Sequence, residues 1–294
     1  MRKFQRLLLI TLFFFFKTFY AQDFKDYISA YTGENGKGYL QPLADAFSAD
    51  VNSGFYQTAY IPEKGISVYL GVVAMTAIIP NDSRLFKAKT GEFFTPKTTL
   101  DAPTIFGPTN SVNVDGNNGL QYTFPGGLDI KKLPIAVPQL TIGSIKGTDL
   151  TIRYIQLNVN KDFGEINVFG IGVRHNINQY FIDLPVNIAA GLYYQKFKIG
   201  NIISANSIAV NLQTSYSYSL ITLYGGLGYE NSLMNVSYKI ETDTDSEKVN
   251  FDVNAANSIR LTLGLAFNLS FFKIFTDYSL ASQNVWTVGL GFYF

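Results

Sequence analysis

The chain contains no cysteine and a single histidine, His175. The absence of cysteine excludes disulfides and cysteine-ligated metal centres, and a lone histidine leaves few ligands for any other transition-metal centre. We therefore expect neither a metal nor a cofactor. No Gly-x-Ser-x-Gly motif is present to position a nucleophilic serine. We predict that the protein is not an enzyme, and a lipid-acting enzyme built on His175 is the catalytic alternative.

Two further absences restrict the fold and the partners. After residue 21, no apolar run approaches the roughly 20 residues that a transmembrane helix needs. Neither sign of charge dominates, because 23 Lys and Arg residues stand against 22 Asp and Glu residues. The sequence therefore gives no electrostatic support for binding nucleic acid.

The first 21 residues have the organisation of an export signal. Three cations among the first six residues precede an apolar run from 7 to 16, and Ala21 offers a cleavage site. A membrane anchor is the alternative, although the run is about half the length that spans a bilayer. Removing residues 1–21 removes four cations and no acid, so the formal net charge falls from +1 to −3.

The abundant residues are Phe, Tyr and Gly, at 25, 19 and 25 copies. In the last half of the chain, apolar residues alternate with small or polar ones, which is the period of a β-strand with two different faces. Ile208, Val210 and Leu212 lie on one face, for example, while Asn211 and Gln213 lie on the other. The polar faces carry Gly, Ser, Thr and Asn rather than the Lys and Glu of a solvated surface. The pattern favours strands with lipid on one side and an enclosed interior on the other.

Eleven segments are predicted strands, and one more is a candidate at 54–61. The eleven lie at 65–78, 139–145, 148–158, 165–175, 185–198, 208–218, 221–228, 234–241, 259–269, 272–280 and 286–294. Short connections require antiparallel neighbours. We predict an all-β fold, an antiparallel transmembrane β-barrel of about 12 strands, within a range of about 10–14. A soluble β-sandwich or a lipocalin-like barrel would show similar alternation.

The C-terminus supports the membrane barrel. The chain ends in Phe-Tyr-Phe, and a terminal Phe294 is typical of barrels that the outer-membrane insertion machinery recognises. We expect localisation in the outer membrane after cleavage of the signal peptide. The expected partners are outer-membrane lipid, lipopolysaccharide and the insertion machinery, with no nucleic acid. The acidic turn at 241–248 is a candidate for meeting lipopolysaccharide through bridging cations.

The segment 22–52, which follows the signal, carries apolar residues at helical spacing. These residues are Tyr39, Leu40, Leu43 and Phe47. A lone short helix is marginal in water, so it must dock on the rest of the protein. We expect it to be a helical plug or lid of the barrel, with a surface helix as the alternative.

The barrel itself is assigned to 53–294. Within it, seven of the ten prolines lie between about 80 and 138, where strand periodicity is weak. A connection this long is usually functional or disordered. We predict either an extracellular loop or an internal hatch.

Five side chains at inward-facing positions of predicted strands are candidates for lining the lumen. They are Arg153, Tyr193, Asn211, Gln213 and Arg260. The two arginines would bias the lumen toward anions, unless each of them pairs with a neighbouring carboxylate or carbonyl.

Several stretches of the chain resemble a known family. They are Asn52–Ala59, Thr104–Pro108, Pro138-Gln139, Gly147-Thr148, Arg153-Tyr154, Gly170–Ile177 and Leu184-Pro185. Together they resemble an uncharacterised family of exported, porin-like outer-membrane β-barrel proteins, described only as a domain of unknown function. The chain is also faintly similar to long-chain fatty-acid transporters, which combine an N-terminal hatch with a barrel. The first resemblance covers most of the mature chain and implies no particular activity.

We therefore expect a passive porin-like channel or transporter for small solutes, hydrophobic ones included. The alternative is a non-conducting structural or assembly barrel that anchors envelope partners. Interior aromatic side chains such as Tyr193, Phe197 and Phe275 would close the lumen of such a barrel.

Overall fold

The computed structural model describes residues 33–91, 94–160, 164–181, 184–241 and 246–294. The predicted export signal and the middle of the acidic turn lie outside these residues. The elements in chain order are α1 (Gly33–Val51), β1 (Ser67–Ile78), β2 (Leu85–Lys89), β3 (Thr99–Pro103), β4 (Val112–Asp115), β5 (Gln121–Phe124), β6 (Lys132–Ile145), β7 (Thr148–Asn160), β8 (Gly164–Asn176), β9 (Asn187–Ile199), β10 (Ile203–Tyr218), β11 (Ile221–Glu241), β12 (Ser246–Asn254), β13 (Ile259–Leu269), β14 (Phe272–Leu280) and β15 (Asn284–Tyr293).

Ten strands form a closed antiparallel barrel. Their order is β1-β6-β7-β8-β9-β10-β11-β13-β14-β15, and β15 pairs back to β1. Val68 and Phe294 complete the closure, because each N–H donates to the other residue's carbonyl, at 2.8 and 2.9 Å. Closure removes the unpaired edges that an open sheet would expose. The predicted all-β antiparallel barrel is confirmed, and its ten strands lie within the predicted range of 10–14, two fewer than the central value of about twelve.

The lower strand number has two causes. Segments 221–228 and 234–241 form one 21-residue strand, β11, because the alternation continues through Tyr229 outward and Glu230 inward. The candidate strand at 54–61 is not a strand and instead runs through the barrel interior. A strand that was not predicted, β12, pairs with Leu233–Glu241 of β11 and lies outside the barrel.

Strand β6 begins seven residues before the predicted start and includes Pro134 and Pro138. All of β6 up to Gly143 pairs with β1, whereas its described pairing with β7 extends only from Ile145 to Gln139. A proline cannot donate a backbone hydrogen bond, so it is tolerated where one edge of a strand has no partner. The predicted start of this strand at residue 139, directly after Pro138, was therefore wrong.

The two ends of the barrel differ in their connections. One end, the C-terminal rim, holds Ser67, Phe294 and tight turns at 146–147, 219–220 and 270–271. The other end, the loop rim, holds the 79–131 connection. This connection contains the hairpins β2–β3 and β4–β5, so the proline-rich segment is largely ordered rather than structureless.

The outward face of the barrel is apolar. The exposed side chains include Leu212, Leu223, Leu227, Leu263 and Leu290, each more than half exposed. The alternate positions on these strands face inward and are largely buried. The barrel is therefore apolar outside and filled inside, whereas the outer surface of a soluble barrel is polar. Within the described residues, no helix is both long and apolar enough to cross a membrane.

Candidate functional site

The barrel interior is occupied by residues 33–66, which we call the lumen segment. It consists of α1 followed by a stretch without regular secondary structure. At the loop rim, the Asn35 side chain and the Lys89 backbone exchange two hydrogen bonds of 2.7 and 3.0 Å. Toward the C-terminal rim, Asn176 Nδ2 donates to the Ile61 carbonyl at 3.0 Å. The segment therefore runs along the barrel from one rim to the other.

Helix α1 packs its apolar residues against the barrel wall near the loop rim. The four residues predicted from helical spacing, Tyr39, Leu40, Leu43 and Phe47, are all buried. The ring of Phe47 stacks on that of Phe197 in β9 with centroids 4.1 Å apart. Burying one such side chain contributes roughly 1.5–3 kcal/mol. The helix has 19 residues and includes Pro42 in its interior, where the proline removes one intrahelical hydrogen bond.

The 79–131 connection covers α1 at the loop rim. Ile105 N–H donates to the Tyr39 carbonyl at 3.1 Å, and Tyr39 Oη donates to the Gly126 carbonyl at 3.2 Å. The linker between β12 and β13 also holds α1, because Ala256 N–H donates to Asp45 Oδ1 at 2.7 Å. Helix α1 is thus enclosed by the barrel wall and by the connection above it.

Arg260 of β13 binds the C-terminal end of α1. Its guanidinium donates to the Ala49 carbonyl at 3.0 Å and to Ser53 Oγ at 2.8 Å. The same group forms a two-point ion pair with Glu230 of β11, at 2.9 and 3.0 Å. A cation is favourable here because the unpaired carbonyls give a helix C-terminus partial negative charge.

Arg153 of β7 binds the chain directly after the helix. Its Nη1 donates to the carbonyls of Val51 and Ser53 at 3.3 and 2.8 Å, and its Nε donates to Gln139 Oε1 at 2.7 Å. Its guanidinium carbon lies 3.7 Å from the centre of the Phe55 ring, a cation–π contact. Arg153 is 1% exposed, and no carboxylate oxygen of the described residues lies within 4.0 Å of it.

Arg174 of β8 holds the lumen segment closer to the C-terminal rim. Its Nη1 donates to the Thr58 carbonyl at 2.6 Å and to Gln213 Oε1 at 3.2 Å. It also forms a two-point ion pair with Asp149. Three wall arginines therefore contact the lumen segment through hydrogen bonds to its main chain.

The five residues predicted to line the lumen all face inward. Arg153 and Arg260 are described above. Gln213 Nε2 donates to Tyr193 Oη at 2.5 Å and to Asn211 Oδ1 at 2.7 Å. The Tyr193 ring lies 4.4 Å from that of Phe55 in the lumen segment.

Sequence reasoning did not find three charged residues of this site: Asp149, Arg174 and Glu230. Each occupies an inward-facing position, so strand alternation offered the signal. The partners that bind them come from other strands and from the lumen segment, at sequence separations of 25 to 116 residues. Alternation alone does not reveal such pairs.

Two small cavities border the described part of the lumen segment. A cavity of about 20 Å³ borders Gly54, Tyr56 and Asp277, and one of about 10 Å³ borders Phe47 and Gln195. Each has room for about one water molecule. Two larger grooves, of about 770 and 810 Å³, lie on the outward apolar face beside residues such as Leu223 and Leu227.

His175 lies at the C-terminal rim, at the end of β8. Its Nδ1 is 2.8 Å from Thr148 Oγ1, and its Nε2 is 2.8 Å from Tyr180 Oη. These contacts join the β6–β7 turn to the β8–β9 connection. The geometry gives His175 a clear role in holding two turns together.

Comparison with known proteins identifies similar solved structures and the family to which the chain belongs. Among solved structures, the chain is similar to the outer-membrane protein OmpT of Vibrio cholerae in its trimer form, with 10% identity, a TM-score of 0.28, and coverage of 79% of this chain and 100% of that chain. It is also similar to a FadL homologue of Pseudomonas aeruginosa, with 7% identity, a TM-score of 0.28, and coverage of 87% and 97%. OmpF of Salmonella typhi matches with 10% identity, a TM-score of 0.25, and coverage of 79% and 98%. No curated protein matches the chain. Residues 1–294 match the family described as "Family of unknown function (DUF6588)", which confirms the predicted resemblance to an uncharacterised family, and the protein belongs to that family.

Proposed function

We propose that this protein is an outer-membrane β-barrel that acts as a passive, plugged channel or transporter for small solutes, hydrophobic ones included. The lumen segment is the plug, and solute passes when it moves. The observation that supports the proposal is the set of hydrogen bonds that hold this segment inside the barrel. At the C-terminal end of α1 and beyond it, the wall binds the segment through hydrogen bonds from Arg153, Arg174 and Arg260.

Such contacts are individually weak in net terms, because water replaces them when the plug leaves. A typical hydrogen bond contributes about 0.5–1.5 kcal/mol net, and one to a charged group about 1.5–3 kcal/mol. Two of the three arginines keep their carboxylate partners, Asp149 and Glu230, in the wall itself. Without the segment, most buried charged groups of the wall therefore keep their partners. The wall can then be hydrated, as a channel requires.

Placement in the outer membrane follows from the apolar outward face and the closed barrel. Only helices and closed barrels satisfy their backbone hydrogen bonds in lipid. Barrels of this class have short periplasmic turns and longer extracellular loops, so we place the C-terminal rim in the periplasm. Phe294, 69% exposed at this rim, is then available to the insertion machinery during assembly.

A disulfide lock tests the plug. Ser48 Oγ of α1 lies 2.6 Å from Ser232 Oγ of β11, so S48C/S232C is expected to tether the helix to the wall. The chain has no native cysteine to interfere. In planar bilayers, the oxidised full-length variant should lose the transient openings of the unmodified protein, by about tenfold or more given the 2–4 kcal/mol typical of a disulfide. Dithiothreitol should restore them.

The matched control is S217C/T222C. Ser217 and Thr222 are direct partners on β10 and β11, with hydroxyl oxygens 2.9 Å apart, so this disulfide joins wall to wall and leaves the plug free. Its oxidised form should open like the unmodified protein. Equal opening of the S48C/S232C variant in both redox states would contradict the plug. Absence of openings in every variant would instead favour a non-conducting barrel that anchors envelope partners, which the filled lumen also fits.

A further inference from the structure

The barrel wall buries more cations than carboxylates. Among the described residues, seven buried charged residues belong to the wall: Arg153, Arg174, Arg260, Lys273, Asp149, Glu230 and Asp277. The wall therefore has four formal cations and three carboxylates.

Arg153 is the wall arginine that has no carboxylate oxygen of the described residues within 4.0 Å. The third wall carboxylate, Asp277, accepts a hydrogen bond from Tyr224 Oη at 2.9 Å and attracts Arg153 only at longer range. Arg174 and Arg260 each have a two-point carboxylate partner, Asp149 and Glu230. Lys273 lies away from α1 near the C-terminal rim, over the Tyr293 ring at 4.5 Å.

Most groups that Arg153 contacts belong to the lumen segment. They are the carbonyls of Val51 and Ser53 and the ring of Phe55, while Gln139 is its one hydrogen-bond partner among the described wall residues. Its buried Nη2 has no hydrogen-bond partner among the described residues. When the segment moves, Arg153 therefore keeps one neutral partner and gains a free, planar set of donors. Such a guanidinium matches a carboxylate or a phosphate.

We infer that the wall binds a small organic anion, carrying a carboxylate or a phosphate, at Arg153, and that the carbonyls of Val51 and Ser53 take the place of this anion in the closed state. The inference rests on the proposed function and names the class of ligand that the channel admits. Anion and plug compete for the same cation. An anion that binds only the open state shifts the population toward it.

Full-length protein in planar bilayers tests this inference. In a KCl gradient, the reversal potential of the open events should show anion preference. Adding succinate should raise the opening frequency by about tenfold, within the usual range of coupling between two binding events. Inorganic phosphate, applied separately, distinguishes a phosphate site from a carboxylate site. Succinamide, the neutral amide of the same shape as succinate, should have no effect.

Two substitutions assign the effect to Arg153. R153Q should abolish both the anion preference and the response to succinate, while R153K should keep the anion preference because it keeps the charge. An R153Q variant that remains anion-selective and responsive would overturn the inference and leave the plug proposal intact. Cation-selective openings of the unmodified protein would likewise overturn the inference and leave the plug proposal intact. Absence of openings in every variant, including reduced S48C/S232C, would overturn both proposals.

Discussion

Replacing Arg260 with methionine is expected to lower the free energy of unfolding by about 3–5 kcal/mol, because the substitution leaves Glu230 buried without its cation. The pair is nearly inaccessible to water, with side chains 8% and 2% exposed, and it joins β13 to β11. Arg260 also holds the end of α1 through Ala49 and Ser53. Urea-induced unfolding in detergent micelles, followed by the fluorescence of the single tryptophan, Trp286, measures the change.

An exposed ion pair of the same length provides the control. Lys87 and Asp101 are also 2.9 Å apart, but their side chains are 71% and 53% exposed. K87M should cost about 1 kcal/mol or less, since exposed pairs contribute little. The double variant R260M/E230M should recover much of the lost stability, because it removes the unpaired charge as well. Equal losses in R260M and K87M would contradict the assignment of Arg260 as a buried structural cation.

Replacing Leu227 with lysine is expected to cost about 2–4 kcal/mol of unfolding free energy when the protein is folded into lipid vesicles. Leu227 faces outward on β11, and we place it within the lipid belt. A lysine there would have to carry its charge into hydrocarbon or distort the local bilayer. Urea titration of folding into vesicles of a single phospholipid measures the effect.

Leu120 is the matched control for this substitution. It is exposed to the same extent as Leu227, 60% in each case, but lies in the β4–β5 hairpin beyond the barrel. L120K should change the unfolding free energy by about 0.5 kcal/mol or less, as surface substitutions usually do. If L227K and L120K behave alike, the outward face of β11 meets water and the membrane placement is wrong.

The alternation of side chains predicted the barrel well because both faces of each strand are under strong selection by their surroundings. In β10, the sequence pattern placed Leu212 outward and Gln213 inward, and their exposures are 56% and 1%. The pattern could not fix the number of strands. The residues between 228 and 234 include Asn231 and Ser232, which favour turns, yet they continue β11 because β10 pairs with them on one side.

The interior was less predictable because its contacts join residues that are distant in sequence. Helical spacing identified Tyr39, Leu40, Leu43 and Phe47, but it could not distinguish a helix inside the barrel from one on its surface. That choice depends on wall residues such as Arg153 and Arg260, which are 102 and 211 residues away from the helix carbonyls that they bind. The expected anion bias was attributed to both arginines, whereas Glu230 neutralises Arg260 and leaves Arg153 as the candidate.

The central claim is that the outward side chains of the barrel meet hydrocarbon while the inward ones enclose a filled lumen. Spin labels on single cysteines at consecutive positions 208–213 of β10 test it most directly, since the unmodified chain has no cysteine. In lipid vesicles, labels at Ile208, Val210 and Leu212 should collide with dissolved oxygen but not with a water-soluble nickel chelate, while labels at Ala209, Asn211 and Gln213 should be shielded from both. Ready access of the nickel chelate to the even-numbered positions, or equal behaviour at all six, would contradict the claim.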